Sequence, residues 1–185
     1  MIDDIPQADK SVLLSLARAS LTNHFKNVLP PDKPDGSPIL DEKFGAFVTL
    51  HKHGNLRGCI GYIEAFEPLW QTVKSLALKS AFEDPRFPSL QESELEECDI
   101  EISVLTPLEP CPDPEKVEVG KHGLYIRKDF YSGLLLPQVP VEWGWNREEF
   151  LDHTCNKAGL PAGSWKDPES ELFWFSAIVF GEKDI

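Results

Sequence analysis

The segment FGAFVTLHKHGNLRGCIGYI, residues 44–63, constrains the fold more than any other part of the chain. Ala46, Val48 and Leu50 alternate with larger or polar residues, which is the period of a pleated strand. Gly54 and Asn55 then predict a turn into a second strand, so the segment reads as an antiparallel hairpin. The glycines of the second arm predict a bulge or a close approach of another backbone segment.

The rest of the chain predicts helices and further antiparallel strands. Apolar residues recur at helical spacing over residues 8–29 and 67–83. A third helix is expected from Asn146, with Glu149 as capping-box partner, to Gly159. Strands are predicted over residues 98–107 and 171–180, with a second hairpin over residues 122–137 that turns near residues 131–133. No βαβ rhythm appears, so we predict an α+β fold with a largely antiparallel sheet, built as one domain over residues 1–185.

Charge and composition exclude several function classes. The chain has 18 basic and 31 acidic residues, a formal net charge of −13, and no run of Lys and Arg. Because nucleic-acid binding normally rests on a basic face, that function ranks third and no nucleic-acid partner is expected. No apolar run reaches the length of a membrane span, and the acidic N-terminus MIDDIPQADK is unlike a signal peptide. We therefore expect a cytoplasmic protein without a membrane partner.

The four cysteines are far apart and predict neither a disulfide framework nor a zinc site. Cys98 and Cys155 each sit on an apolar face and are interpreted as core residues. His51 and His53 form an H-x-H pair, but no spacing supplies the further ligands that a metal needs. We predict no metal and no cofactor.

Cys59 is the centre of the candidate site, and two interpretations remain open. It is either a buried core thiol, as free cysteines commonly are, or a reactive one. Arg57 lies two residues away, which on a regular strand places both side chains on one face, where a cation would lower the thiol pKa. Asp84 and Arg86 form either a local ion pair that ends a helix or an extension of the site. His122 is the best candidate for a general base, although its position beside a glycine also suits a turn residue.

Seven motifs follow one another along the chain: LRGCIG (56–61), DPRFPSL (84–90), IEISVLTPLEP (100–110), VGKHGLYI (119–126), GLLLPQV (133–139), WGW (143–145) and FLDHTCNKAGL (150–160). Together they resemble the AMMECR domain family, of which LRGCIG is the hallmark. The family is named after the Alport syndrome, mental retardation, midface hypoplasia and elliptocytosis chromosomal region. Ser89 stands where the family pattern has a second proline, which affects the rigidity of a turn.

The resemblance implies a compact α+β unit with a large and a smaller lobe, and with LRGCIG beside the cleft between them. It also implies a pathway shared with a Memo-like protein and a radical-SAM protein, whose genes often neighbour a prokaryotic relative. The residues that match the family pattern are Arg57, Gly58, Cys59, Gly61, Asp84, Arg86, Phe87, His122, Gly123 and Gln138.

Two functions of different classes follow. The favoured one is a non-catalytic module in which Arg57, Gly58, Gly61, Asp84, Arg86 and Gln138 bind an anionic ligand or a partner protein. The alternative is an enzyme with Cys59 as nucleophile, Arg57 as thiolate stabiliser and His122 as base. We predict that Arg57, Cys59, Arg86 and His122 face one cleft, an arrangement that a bulge at Gly58 would break.

Overall fold

A computed structural model describes residues 4–64 and 66–184 of the chain. The chain forms two compact units. Unit 1 runs to Leu105 and resumes at Ile178, and unit 2 is the intervening segment Thr106–Ala177. The helices are α1 (Gln7–Phe25), α2 (Leu69–Phe82), α3 (Gln138–Trp143) and α4 (Arg147–Lys157). The strands are β1 (Ala46–Lys52), β2 (Asn55–Tyr62), β3 (Cys98–Leu105), β4 (Glu109–Pro110), β5 (Gly123–Lys128), β6 (Tyr131–Leu135), β7 (Glu171–Phe175) and β8 (Ala177–Gly181).

Unit 1 is a four-stranded sheet that packs one face against two helices. The strand order is β2-β1-β3-β8, and β1 pairs antiparallel with both neighbours. Alternate residues of β1 are fully buried and meet apolar side chains of α1 and α2, because a pleated strand sends every second side chain to the same face. β2 is an edge strand of this sheet, so its LRGCIG residues pair with β1 on one side and with no strand of the sheet on the other.

Unit 2 is a second four-stranded antiparallel sheet, in the order β4-β7-β5-β6. Helix α4 packs against β5 and β6. The Asn146 side-chain oxygen accepts a hydrogen bond from the Glu149 amide, and the Glu149 carboxylate accepts one from the Asn146 amide, so the predicted capping box is confirmed. Cys155 of α4 is fully buried, as is the nearby Ile126 of β5.

The α+β class and the antiparallel pairing are confirmed, and four local predictions need correction. The first turn uses His53 and Gly54, both in the left-handed region, so Asn55 already pairs with Lys52. The second hairpin turns at Asp129 and Phe130, because Asp129 takes the positive φ that the predicted Tyr131 does not.

The last apolar run is two strands and not one. β7 belongs to unit 2 and β8 to the sheet of unit 1, with Ser176 between them. The Ser176 amide donates to Thr106 Oγ1, and the Thr106 amide donates to the Ser176 carbonyl. These two hydrogen bonds hold the two ends of unit 2 side by side. Helix α3 was missed, since Pro137 and Pro140 obscure a six-residue helix.

Candidate functional site

The LRGCIG strand carries a β-bulge at Arg57. Leu56 pairs with His51 and Gly58 pairs with Leu50, so Arg57 has no partner on β1. An extra residue of this kind interrupts the two-residue alternation of a strand and re-aims a side chain. The bulge therefore lies at Arg57, one residue before Gly58, the position that the sequence analysis considered for it.

Cys59 lies on the face of the sheet that points away from α2. It pairs with Thr49, whose Oγ1 donates a hydrogen bond to Sγ at 3.2 Å. Burial raises the pKa of the Cys59 thiol, and the Thr49 hydrogen bond and the charge of Arg86 oppose this with smaller effects. Cys59 is therefore a neutral, hydrogen-bonded thiol near neutral pH.

Asp84 and Arg86 clamp the backbone of Cys59 at the open edge of the sheet. The Cys59 amide donates to Asp84 Oδ2 at 2.9 Å, and Arg86 Nη2 donates to the Cys59 carbonyl at 3.1 Å. Arg86 also donates to both carboxylate oxygens of Asp84, at 2.9 and 2.7 Å. These two side chains satisfy backbone groups that would otherwise template another strand.

The Asp84 carboxylate stays ionised in this buried position. Its side chain is only 2% exposed, and the hydrogen bonds from Arg86 hold its pKa well below the usual range, helped by the Cys59 amide. The structure thus contains the local ion pair of the simpler interpretation, and it brings that pair into contact with Cys59.

Arg57 does not share a face with Cys59, so that prediction is wrong. Its Nη2 donates to Glu94 Oε2 at 2.9 Å, and Lys52 Nζ donates to the other oxygen of the same carboxylate. Lys52 lies on the same face of β1 as its buried residues, and the charges of Arg57 and Glu94 act on the pKa of the buried Cys98 thiol. Arg57 is therefore on the side of the sheet opposite to Cys59. The bulge is the physical cause, because it turns Arg57 out of the alternation that holds Cys59.

Glu94 neutralises Arg57 and was not expected in this position. Residues 92–101, ESELEECDIE, form an acidic run of the kind that usually makes a solvated edge, but within it the Glu94 side chain is only 20% exposed. Hydrogen bonding to Arg57, followed by the Gln91 amide, lowers the pKa of Glu94 to about 2. Arg57 is therefore already paired and is not a free anchor for an anion.

The two glycines around Cys59 serve close packing. A Cβ atom at Gly58 would lie 2.1 Å from the Ser80 carbonyl oxygen of α2, and one at Gly61 would lie 2.2 Å from the Phe47 ring. Both positions thus accept only glycine without movement of a neighbour. Close packing is thus a sufficient reason for glycine at both positions, and a site in which backbone amides bind an anion is not needed to explain them.

His122 and Gln138 belong to unit 2, and their association with Cys59 stays a prediction. The His122 ring lies against Trp174 with centroids 4.5 Å apart, and its Nδ1 accepts a hydrogen bond from the Glu118 amide at 3.0 Å. Burial lowers the pKa of His122, and the positive charge of Lys121 lowers it further. Because Nδ1 is the acceptor, the neutral ring carries its proton on Nε2 and has no spare lone pair for a base.

Gln138 is the first residue of α3. Its buried Oε1 has no hydrogen-bond partner among the residues that the structure describes.

The face around Cys59 also contains Thr49 and Glu101, two side chains that sequence reasoning did not assign to the site. Glu101 of β3 pairs with Thr49, and its carboxylate lies 3.9 Å from His51 Nε2. Their shared face follows from strand register, which a single sequence does not supply. Thr49, His51, Cys59 and Glu101 together with Arg86 are hereafter called the Cys59 face.

Within residues 4–64 and 66–184, no three His, Cys, Asp or Glu side chains are placed to hold a metal ion. Over the same described ranges, no helix combines the length and the apolar composition that crossing a bilayer requires.

Comparison with known proteins identifies the family. Residues 14–180 match the family model AMMECR1. A protein of Thermococcus gammatolerans is 46% identical over 184 residues, with 92% of this chain and 89% of the relative covered. A protein of Methanothermobacter thermautotrophicus is 45% identical, with 92% of each chain covered. The crystal structure of an uncharacterised protein from Pyrococcus horikoshii superposes with a TM-score of 0.87 at 43% identity, covering 94% of this chain and 91% of that one. The chain belongs to the AMMECR1 family.

Proposed function

We propose that the protein is a non-catalytic binding module and that the Cys59 face is its recognition surface. The observation that carries this proposal is the state of Cys59, a neutral thiol held by Thr49 on a strand whose edge Asp84 and Arg86 lock. Such an arrangement presents fixed donors and acceptors and contains no activated nucleophile.

The same contacts weigh against the thiol enzyme. A cysteine nucleophile needs a lowered pKa or an adjacent base, and burial raises the pKa of this thiol. Arg57 is bound to Glu94 on the other side of the sheet, and Arg86 is bound to Asp84. The lone pair of His122 Nδ1 is occupied within its own unit.

The mixed charge of the surface favours a partner protein over a simple anion. Arg86 has a side chain that is 55% exposed, and its Nη1 makes no hydrogen bond to the residues described. Glu101 supplies an acceptor on the same face, with its side chain 37% exposed. A protein surface with an acid and a base in matching positions satisfies both groups, whereas a small anion would be repelled by Glu101. The Memo-like and radical-SAM companions that the resemblance implies are the first candidates.

Alkylation of Cys59 as a function of pH tests the state of the thiol. Iodoacetamide labelling, quantified at the Cys59 peptide by mass spectrometry, should accelerate only above the ordinary cysteine pKa of about 8.5. A labelling rate that already reaches its plateau below about pH 8 would instead support the enzyme.

Titration with purified companion proteins tests the surface. The variant Glu101→Gln preserves shape and removes one charge of the Cys59 face, and Glu64→Gln is a matched control on an exposed position of the same unit. We expect Glu101→Gln to weaken binding by about tenfold, as a partly desolvated charge pair would, and Glu64→Gln to leave it unchanged. Equal affinity of both variants would place the interface elsewhere, and failure of every companion to bind would reject those partners.

A further inference from the structure

A separate cavity lies where the LRGCIG strand ends, on the side of the sheet that faces α2. Its volume is about 300 Å³, and its walls come from three segments of unit 1. Tyr62 closes β2, and α2 contributes side chains three and four residues apart, which share one face of a helix. The lining residues are Tyr62, Phe66, Glu67, Thr72, Ser75 and Lys79.

Hydrogen-bond donors converge on one side of this cavity. Lys79 Nζ donates to the Tyr62 hydroxyl oxygen at 2.5 Å, and among the described residues it forms no ion pair with a carboxylate. Because the Tyr62 oxygen accepts, the phenol hydrogen remains available to donate, as do two ammonium hydrogens of Lys79. The Ser75 hydroxyl makes no hydrogen bond with the described residues and adds a further donor on the same helix.

An ammonium and a phenol that meet in this way suit a carboxylate. The hydrogen bond to Tyr62 raises the pKa of Lys79, so the cation persists at every physiological pH. A carboxylate oxygen placed between the two groups would receive charge-assisted hydrogen bonds, which are about twice as strong as neutral ones.

The other walls restrict what is attached to the carboxylate. Phe66 meets the Tyr62 ring edge to face, with centroids 6.3 Å apart, and it is 66% exposed. An aromatic side chain left this accessible offers a surface for a flat apolar group. Glu67 is also exposed and would repel a dianion while attracting an amine.

We propose that this cavity binds a small aromatic monocarboxylate, and that Glu67 favours one that also carries an amine, in the manner of an aromatic α-amino acid. The volume lies at the lower end of the range of ligand pockets, which excludes a large cofactor. The proposal is independent of the binding role of the Cys59 face, because Cys59 and Tyr62 point to opposite sides of the sheet.

Calorimetric titration of the full chain with four probes tests the ligand class. L-phenylalanine should bind in a saturable manner, and 3-phenylpropionate, which lacks the amine, should bind several-fold more weakly. Phenethylamine, which lacks the carboxylate, and inorganic phosphate should not bind. Absence of saturable binding of both carboxylates up to about 10 mM would overturn the proposal, since even millimolar affinity would then be missing. Binding of phenethylamine as tight as that of L-phenylalanine would also overturn it.

Three variants place the binding in the cavity. Lys79→Met should weaken L-phenylalanine binding by at least about tenfold, and Tyr62→Phe, which removes one donor, by about three- to tenfold. Lys74→Met is the matched control on the same helix, because its ammonium lies over the Trp70 ring, outside the cavity. Thermal melts establish that each variant is folded. Affinity that survives both Lys79→Met and Tyr62→Phe, or that falls equally in Lys74→Met, would show that the cavity is not the site.

Discussion

Replacing Gly58 with alanine should force β2 and α2 apart. A Cβ atom at this position would lie 2.1 Å from the Ser80 carbonyl oxygen and 3.1 Å from its carbon. An ordinary contact begins near 3.4 Å, so the two backbones would have to separate by more than 1 Å. The obstacle is helix backbone, which has no rotamer through which to move aside.

The expected cost is large for the addition of one methyl group. Overpacking a well-filled interior costs about 1 to 3 kcal/mol, and we expect about 3 kcal/mol because the obstacle is rigid. That loss corresponds to a melting temperature lower by about 6–12 °C for a chain of this size. Gly58→Val should be worse still. Cys59→Ser should cost only about 1 kcal/mol, because a serine hydroxyl keeps the hydrogen bond with Thr49.

Thermal unfolding followed by circular dichroism measures these differences. Gly181→Ala is the matched control, since its Cβ atom would meet its nearest neighbour at an ordinary 3.4 Å. We expect the control to melt close to the unmodified protein. If Gly58→Ala melts within about 1 °C of Gly181→Ala, the close approach of β2 and α2 does not limit stability and the reasoning is refuted.

Three further predictions concern charge and capping. Because Arg57 lowers the pKa of Glu94 to about 2, the ionised Glu94 stabilises the fold above pH 4.5, and this contribution is lost as the pH falls towards 2. The variant Glu94→Gln should therefore show a weaker pH dependence of the urea unfolding midpoint between these two pH values. Asp84→Asn should lower the free energy of unfolding in urea by about 2 kcal/mol, since it removes the charge of the carboxylate that accepts a hydrogen bond from the Cys59 amide. Asn146→Ala should cost about 1 kcal/mol in the same assay by removing a helix cap, and an unchanged midpoint would contradict that role.

Much of the fold could be predicted because its signals are local. The apolar stripes of α1 and α2, the alternation of β1 and the capping box of α4 each depend on residues within a few positions of one another. The turn positions failed by one or two residues because His53 and Asp129 take left-handed conformations that glycine more often supplies. The assignment of β7 and β8 to different sheets depends on long-range pairing, for which a continuous apolar run carries no sign.

The candidate site was predictable as a location and not as an arrangement. Cys59, Asp84 and Arg86 do come together, but as a clamp on a strand edge. The spacing of Arg57 and Cys59 predicted a shared face because it assumed a regular strand. One unpaired residue was enough to reverse that result, and Glu94, which binds Arg57, lies 37 residues further along the chain.

The interruption of unit 1 by unit 2 sets an order of events during synthesis. Arg18 of α1 binds Glu182, which lies 164 residues later and beyond all of unit 2. At about 5–20 residues per second, a ribosome needs about 8 to 33 s to supply that partner. β3 lacks β8 for the part of this interval between the synthesis of Leu105 and that of Gly181, about 4 to 15 s at the same rate, and its edge then stays open to other chains. Unit 2 is continuous and can fold meanwhile, so the segment synthesised first is the one completed last, and its unfinished sheet is where a chaperone would be needed.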